Sequence, residues 1–530
     1  MLSFICHTNW ARKYREVSLG VVELINALIG LMTPEILFSV FWATFLGIIV
    51  GMLPGLTATM GIALLTGLTY QWESSNAIVI LIAMYVGAIY GGSRSAILVN
   101  IPGTPANAAT CIDGHPLALQ GKAGEAIGLA TTSSFLGSTI ALFFMAFFTP
   151  YLGLVALRFQ SFEFFWLTLF GVLICGNLTA PEDPLKGWIS GFLGIFLAMI
   201  GMEAIQAHPR FAYGIVDLYG GISMIPALVG IYGMTEVIQT TVEAHRRGNI
   251  SQVGRVLPRI RDLLRNWKNI IRSGLIGVFV GMIPGVGENI ASFVAYDFAR
   301  RGSKTPEKFG KGSVEGLTAA ETGDNACVGG AIIPVLVLAV PGSPPAAVLL
   351  AAMWLHGMRP GPLLVIEAPH HIFEVSAMFL LASVAMLILG LSMVRVVVKI
   401  LKVPTSILMP IILVLCVVGS FAIAGRVFDI LIMLLFGVIG YPLRKMKFPD
   451  APLILGLILG AMLDENLRRG LILNDGSLVP FFTRPISVIL IIMILMTVFS
   501  RNPYLKRSAG RVKDLVFAPF RKKREDVEKA

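Results

Sequence analysis

Charge is what this chain has least of. Only 14% of its 530 residues are Asp, Glu, Lys or Arg, and 55% are hydrophobic, whereas soluble globular proteins carry roughly 25% charged residues. So little charge cannot solvate the surface of a soluble protein this long. Cysteine is scarce too: Cys6, Cys111, Cys175, Cys327 and Cys416 form no Cys-x-x-Cys pair, and most lie in apolar stretches. They read as small core residues, not as a disulfide or metal framework. The chain has no phosphate-loop Gly-Lys-Ser/Thr motif and no His-Glu-x-x-His zinc motif. Gly285-Val-Gly287 does not complete a dinucleotide fingerprint, because Ile290 stands where the third glycine belongs. Nothing alternates with the strand period and spacing of a membrane barrel. Nor does a cleavable signal peptide appear, since the apolar stretch after Arg12, Lys13 and Arg15 continues without a cleavage site.

What is present is apolar sequence in long runs, with a mean hydropathy of +0.79. A spanning helix needs roughly 20 such residues. Phe164–Pro181, Val375–Val394 and Val403–Gly425 meet that length once. Ile36–Trp72 and Asn325–Met358 carry no charge, Ser74–Ile112 carries only Arg94, and all three are too long for one helix. Each holds Pro and Gly near its middle, so each must be two spans, a broken helix or a re-entrant hairpin. Shorter runs near 187–202, 218–235, 430–443, 451–463 and 485–500 complete the set. The expected fold is an all-α polytopic membrane protein, a bundle of roughly 10 to 14 membrane segments. The net charge of +11 does not mark a nucleic-acid binder. Its basic residues cluster at Arg12–Arg15, Arg246–Arg272 and Arg501–Lys529, outside the apolar runs, as the positive-inside rule places cytoplasmic loops. Both termini are therefore expected in the cytoplasm.

The chain repeats itself. Gly47, Gly51 and Pro54-Gly55 reappear as Gly277, Gly281 and Pro284-Gly285, and Pro102-Gly103-Thr104-Pro105 reappears as Pro341-Gly342-Ser343-Pro344. Two motifs in the same order at nearly equal spacing indicate a duplication, the pattern of secondary transporters with Pro/Gly-broken helices. The expected organisation is an N-terminal segment 1–32, a first repeat 33–244, a basic loop 245–272, a second repeat 273–500 and a basic tail 501–530. The repeats are expected to be inverted.

The glycines spaced by four suit close helix packing of the small-xxx-small kind. A Pro-Gly inside hydrocarbon frees backbone groups, which is tolerated only where protein or a cavity satisfies them. Polar residues follow each break: Thr57 and Thr59, then Glu288 and Asn289. The two hydroxyl-bearing tips place unpaired N–H donors at half-helix N-termini, which favour a carboxylate. The candidate substrate site is therefore Gly55, Thr57, Arg94, Asn100, Gly103, Thr104, Asn107, Gly285, Asn289, Gly342 and Ser343. Arg94 either pairs with a substrate carboxylate or snorkels to an interface. Glu321, Asp324 and Asn325 are candidates for a coupling cation, sodium or a proton, against the simpler reading of a solvated loop end. His115 and His356 beside Gly-Pro turns read as interfacial. No resident cofactor or metal is expected.

At these residues the chain resembles the large membrane subunit of the tripartite tricarboxylate transporters, the TctA-like family, from roughly Thr33 to Ser500. The resemblance rests on Gly51-Met-Leu-Pro-Gly-Leu-Thr-Ala-Thr-Met60, Tyr90-Gly-Gly, Asn100-Ile-Pro-Gly-Thr-Pro105, Asp113-Gly-His-Pro116 and Gly121-Lys-Ala-Gly124. Further on it rests on Pro306-Glu-Lys-Phe-Gly310, Val340-Pro-Gly-Ser343, Pro360-Gly-Pro362, Glu465-Asn-Leu-Arg-Arg469 and Phe481-Phe-Thr-Arg-Pro485. It implies a permease of about twelve transmembrane helices in a bacterial inner membrane that works with a small four-helix membrane subunit and a periplasmic solute-binding protein delivering a carboxylate. Uptake would be driven by a cation gradient. Arg94, Glu288-Asn289 and Ala320-Glu-Thr-Gly-Asp-Asn325 depart from the family pattern at the suspected site, so the resemblance leaves open citrate or another di- or tricarboxylate. The competing readings are a stand-alone carboxylate permease, an intramembrane enzyme and an ion channel.

Overall fold

The computed structural model describes residues 20–53, 55–242, 256, 258, 260–400 and 403–499. The N-terminal basic cluster, residues 245–255, 257 and 259 of the 245–272 loop, Pro54 and the tail 501–530 lie outside the described residues. Seven helical segments are long and apolar enough to cross a membrane. The strands among the described residues are one short antiparallel pair, Gly201–Met202 with Pro209–Arg210. Large apolar side chains such as Phe38, Phe143, Leu185, Val414, Leu435 and Ile492 are exposed, while Arg94, Glu288, Glu321 and Asp324 are buried. Apolar outside and charged inside is the arrangement a bilayer selects. The protein is an all-helical polytopic membrane protein.

The three overlong runs resolve into broken pieces. Helices α1 (Gly20–Leu31) and α2 (Pro34–Met52) come first, and Thr33 caps α2 by accepting the Ile36 N–H at 3.3 Å. The chain breaks at 53–57 and resumes as α3 (Ala58–Leu68), capped by Thr57 through the Met60 N–H at 3.2 Å. Helix α4 (Ser74–Val99) follows and ends at Asn100, whose φ of 56° turns the chain back on itself. The returning strand runs beside α4 until the Gly103 N–H donates to the Gly92 carbonyl at 3.4 Å. There α5 (Ala108–Leu117) begins, roughly 10 Å short of the end of α4 at 1.5 Å per residue. It heads the same way as the last turns of α4, which brings His115 Nδ1 within 3.0 Å of the Ile97 carbonyl. The long helix α6 (Ala123–Ala156) then leads to α7 (Ser161–Thr179) and α8 (Pro184–Ala198). A continuous helical stretch formed by α9 (Met224–Leu228), a π-helical turn and α10 (Thr235–Val242) closes this part.

The second part follows a matching plan. Helices α11 (Trp267–Gly281) and α12 (Gly287–Gly302) flank the break at 282–286. Helix α13 (Val314–Leu338) ends at Ala339 with φ 54°, the Gly342 N–H donates to the Ala331 carbonyl at 3.4 Å, and α14 (Pro344–Leu355) starts there. Next come α15 (His370–Ser392), α16 (Thr405–Ala424), α17 (Val427–Lys445), α18 (Asp450–Leu473) and α19 (Pro485–Phe499). Helix α2 packs on α4 and α11 packs on α13 through glycines. A Cβ on Gly51 would strike the Ala88 carbonyl, and one on Gly281 would strike the Cys327 carbonyl. The tips use the same glycines from the other side: a Cβ on Gly103 would strike the Gly51 carbonyl, and one on Gly342 the Gly281 carbonyl. Backbone meets backbone at both places, which only glycine permits.

Helices α4 and α13 run in opposite directions. The start of α4 is tied to the end of α14, because the Ser74 hydroxyl donates to the His356 carbonyl at 2.6 Å. The start of α13 is tied to α5: Asp113 Oδ1 accepts the N–H groups of Gly310, Gly312 and Ser313 at 2.9, 2.9 and 2.7 Å. The ion pairs collect at the two ends of the bundle. One end holds Arg210–Asp464 at 2.9 Å, Arg426–Asp429 at 3.1 Å and Arg484–Glu163 at 2.5 Å. The other holds Arg444 with Glu236 at 2.8 Å and with Asp450 at 2.6 Å, and Lys186 Nζ on the Met446 carbonyl at 2.9 Å. Helices α7, α17 and α18 connect the two sets.

Two outcomes follow from this packing. Gly281→Val should cost about 1–3 kcal/mol through overpacking and lower the melting temperature in detergent, while Gly30→Ala, with nothing within 4 Å of its added Cβ, should not. Cysteines at Tyr213 (86% exposed) and Asp475 should react with an impermeant thiol reagent from one side of the membrane, and a cysteine at Lys447 only from the other.

Candidate functional site

The first tip is built into a buried hydroxyl and amide network. The Thr104 hydroxyl donates to Asn107 Oδ1 at 2.6 Å, and Asn107 Nδ2 donates to Ser93 Oγ at 3.1 Å and to Asp324 Oδ2 at 3.0 Å. Ser93 in turn donates to Glu321 Oε2 at 2.8 Å, where Ser134 of α6 also donates at 2.8 Å; Thr110 of α5 donates to Glu321 Oε1 at 2.5 Å. Glu321 is thus solvated by three hydroxyls in place of water. Asp324 is less well served: its Oδ1 has no hydrogen-bond partner, and neither has Asn325 Oδ1 or Thr322 Oγ1. Glu321, Asp324 and Asn325 all sit inside α13 and are fully buried. The simpler expectation of a solvated loop end is therefore overturned. Helix α13 continues past them because Ser313 caps it three residues upstream of Gly316, accepting that N–H at 3.1 Å.

The second tip is built differently. Ser343 caps α14 by accepting the Ala346 N–H at 3.3 Å, and its hydroxyl shares a 2.6 Å hydrogen bond with the Tyr85 hydroxyl of α4. Tyr85 also donates a short hydrogen bond to Glu288. The break and the tip are joined directly: the Gly285 N–H donates to the Pro341 carbonyl at 3.2 Å and the Gly287 N–H to the Gly342 carbonyl at 3.0 Å. Tyr85 and Ser93 lie about 12 Å apart along α4 at 1.5 Å per residue, so one helix contributes to both clusters. Among the described residues, Glu288, Glu321, Asp324 and Arg94 form no ion pair.

Arg94 does not snorkel. It is 1% exposed and its guanidinium donates to the Tyr90 hydroxyl at 3.1 and 3.3 Å and to the Gly390 carbonyl of α15 at 2.6 Å. Its Nη1 has no partner. The remaining candidates scatter. Asn100 is exposed and serves as the left-handed end of α4; Thr57 is a helix cap; Asn289 is exposed. Both break glycines hold left-handed φ values, 94° at Gly55 and 72° at Gly285. A Cβ on Gly55 would come 2.5 Å from Glu236 Oε1, and one on Gly285 would come 2.5 Å from Cys175 Cβ. These breaks face different neighbours and do not meet. Reasoning from sequence passed over Tyr85, Ser93, Thr110 and Ser134, which have no pattern to distinguish them from other hydroxyls. Choosing Asn289 over Glu288 was avoidable, since Glu288, Ala291, Ser292, Ala295, Tyr296 and Ala299 recur at helical spacing and are the buried face of α12.

Fold and site together define a polytopic helical membrane protein in which half-helices begin inside the bundle against buried acids. The chain belongs to the tripartite tricarboxylate transporter TctA family, whose model matches residues 37–455. Membership makes it a component of a tricarboxylate transporter. A protein of Agrobacterium vitis described as an uncharacterized 52.8 kDa protein in the TAR-I ttuC′ 3′ region is 33% identical over 461 residues, covering 87% of this chain and 92% of that relative. A second from the same organism, described as an uncharacterized protein in the TAR-II ttuC′ 3′ region, is 34% identical over 215 residues, covering 41% of this chain and 89% of its own length. No solved structure matches the chain.

Asn107 is the residue on which the first cluster turns. Asn107→Ala should remove hydrogen bonds to Thr104, Ser93 and Asp324 at once. Each is worth about 0.5–1.5 kcal/mol net, so the thermal transition in detergent should fall by several degrees, more than for Thr57→Ala.

Proposed function

We propose that this chain is the permease subunit of a tripartite, binding-protein-dependent secondary transporter that imports a di- or tricarboxylate by cation symport, with sodium or a proton as the coupling ion. The observation that carries the reading is the pair of half-helices that begin inside the bundle: α14, capped by Ser343, and α5, entered from Thr104 through the single 3-10 turn Pro105–Asn107. Helix N-termini attract carboxylates, and one tip for each end of the substrate suits a di- or tricarboxylate. Gly103 and Gly342 allow the backbone to approach, while Arg94, hydrogen-bonded to Tyr90 and Gly390, belongs to neither tip's network. Asn100, Thr57 and Asn289 take no part in this version of the site. Asp324, Glu321 and Asn325 form the coupling-cation site: an unpaired carboxylate oxygen in a low-dielectric interior calls for a cation or a proton.

Alternating access follows from reading 33–244 and 273–500 as inverted repeats separated by the loop 245–272. The antiparallel α4 and α13, the equivalent glycine contacts and the equivalent left-handed turns at Asn100 and Ala339 support that arrangement. The basic loop and tail would hold both termini in the cytoplasm of a bacterial inner membrane. A small four-helix membrane subunit and a periplasmic solute-binding protein complete the assembly, and no nucleic acid or enzymatic turnover is involved.

Reconstituted alone, the chain should take up little free carboxylate. Adding the small membrane subunit and loaded binding protein should restore uptake under an imposed sodium or proton gradient, whereas robust uptake by the isolated chain would favour a stand-alone permease. In the complete system, Thr104→Ala and Ser343→Ala should each weaken apparent affinity by about tenfold or more, the value of one hydrogen bond to a charged ligand. Unchanged affinity and ion dependence in both would reduce the tips to helix kinks.

A further inference from the structure

Glu288 is a buried carboxylate used by neither the first tip nor the coupling-cation site. It lies in the first turn of α12, is 2% exposed, and receives the Tyr85 hydroxyl proton. The same phenol oxygen is 2.6 Å from Ser343 Oγ, the cap of α14. Helix α12 is held against that cap by the Gly287 N–H on the Gly342 carbonyl at 3.0 Å. An acid of the chain itself therefore sits where two half-helix N-termini come together, with a phenol and a serine hydroxyl turned toward it. That is a carboxylate site already occupied by a carboxylate. The titratable groups that face Glu288 are Tyr85 of α4 and Asp324 and Cys327 of α13, and among the described residues no Lys, Arg or His lies within ion-pair distance to offset it.

We propose that Glu288 couples one proton to each substrate molecule by exchanging places with a substrate carboxylate. In the empty carrier the ionised Glu288 holds Tyr85 and, through it, the cap of α14. A substrate carboxylate reaching that cap needs the same O–H donor. Two carboxylates at one buried site cannot both stay ionised, so a proton from the aqueous phase forms an O–H bond on Glu288, and Tyr85 turns its proton to the substrate. When the substrate leaves, Glu288 releases the proton and recaptures Tyr85. Substrate and proton thus arrive and depart together, whatever Asp324 holds. This inference rests on the reading of the tips as the carboxylate site.

The test is binding of a tricarboxylate to the purified full-length protein, followed by ligand-induced thermal shift between pH 7 and 9, where the ligand is fully ionised. For the wild type, the half-saturating concentration should rise by about tenfold per pH unit, the signature of one linked proton. Glu288→Gln, isosteric with the protonated acid, should bind with no such slope. Tyr85→Phe should bind about tenfold more weakly and keep the wild-type slope, which tests the shared donor even if Glu288→Gln fails to fold. A flat wild-type profile, or identical slopes in wild type and Glu288→Gln, would overturn the proposal while leaving the carboxylate site intact. A wild type that binds no tricarboxylate would overturn the site itself, and this inference with it.

Discussion

A helix that begins inside a bilayer needs partners for its first N–H groups and for the backbone that led to it, because hydrocarbon offers none. Everything distinctive here follows from meeting that need twice. The returning strands before α5 and α14 are accepted only because Gly103 and Gly342 can lie against the carbonyls of Gly51 and Gly281. Those carbonyls are reachable only because α2 and α11 are themselves glycine-faced where they cross α4 and α13. A side chain at any of these positions would separate the layers and leave backbone groups unpaired. The tip hydroxyls then fall inside the bundle, and the acids of α12 and α13 fall beside them.

The acids in that interior are stabilised in an unusual way. At the ends of the bundle, carboxylates meet Arg and Lys; inside, they meet hydroxyls and one amide. Glu321 with three O–H donors and Glu288 with the Tyr85 phenol keep hydrogen bonding without a fixed counter-charge. A permanent salt bridge would hold the charge in place in every state of the carrier, since separating a buried pair costs several kcal/mol. Hydroxyl donors can be traded for a substrate oxygen or for a proton at much smaller cost. Arg94, with donors turned to Tyr90 and a backbone carbonyl and with Nη1 free, is likewise uncommitted. The segments around these groups are tightly packed, so exchange at the tips must move helices and not loose loops, which suits a carrier in which α4 is shared between both clusters.

A good deal of this was legible in the amino-acid order. Runs too long for one helix and interrupted by Pro-Gly had to break, and they do, at 53–57, 100–104 and 339–343; the repeated Pro284-Gly285 breaks the chain at 282–286. Low charge fixed the environment, and Thr33, Thr57, Ser313 and Ser343 are caps of the kind their chemistry predicts. The recurring tips pointed to Thr104 and Ser343 for the same reason: local backbone chemistry is written in local sequence. What the sequence could not decide was which polar groups meet. Asn107 reaches Asp324, Tyr85 reaches Glu288, and Ser93, Thr110 and Ser134 converge on Glu321 across three helices. Those encounters depend on helix register and crossing, which small residues set through contacts between distant segments. Asn100 and Asn289, chosen for their chemistry, point outward for the same reason, and Arg94 faces Gly390 although Ser93 beside it faces Glu321. Composition and local pattern determined a broken-helix membrane protein with hydroxyl-bearing tips; only the packing of α4 against α13 decided which acids those tips would hold.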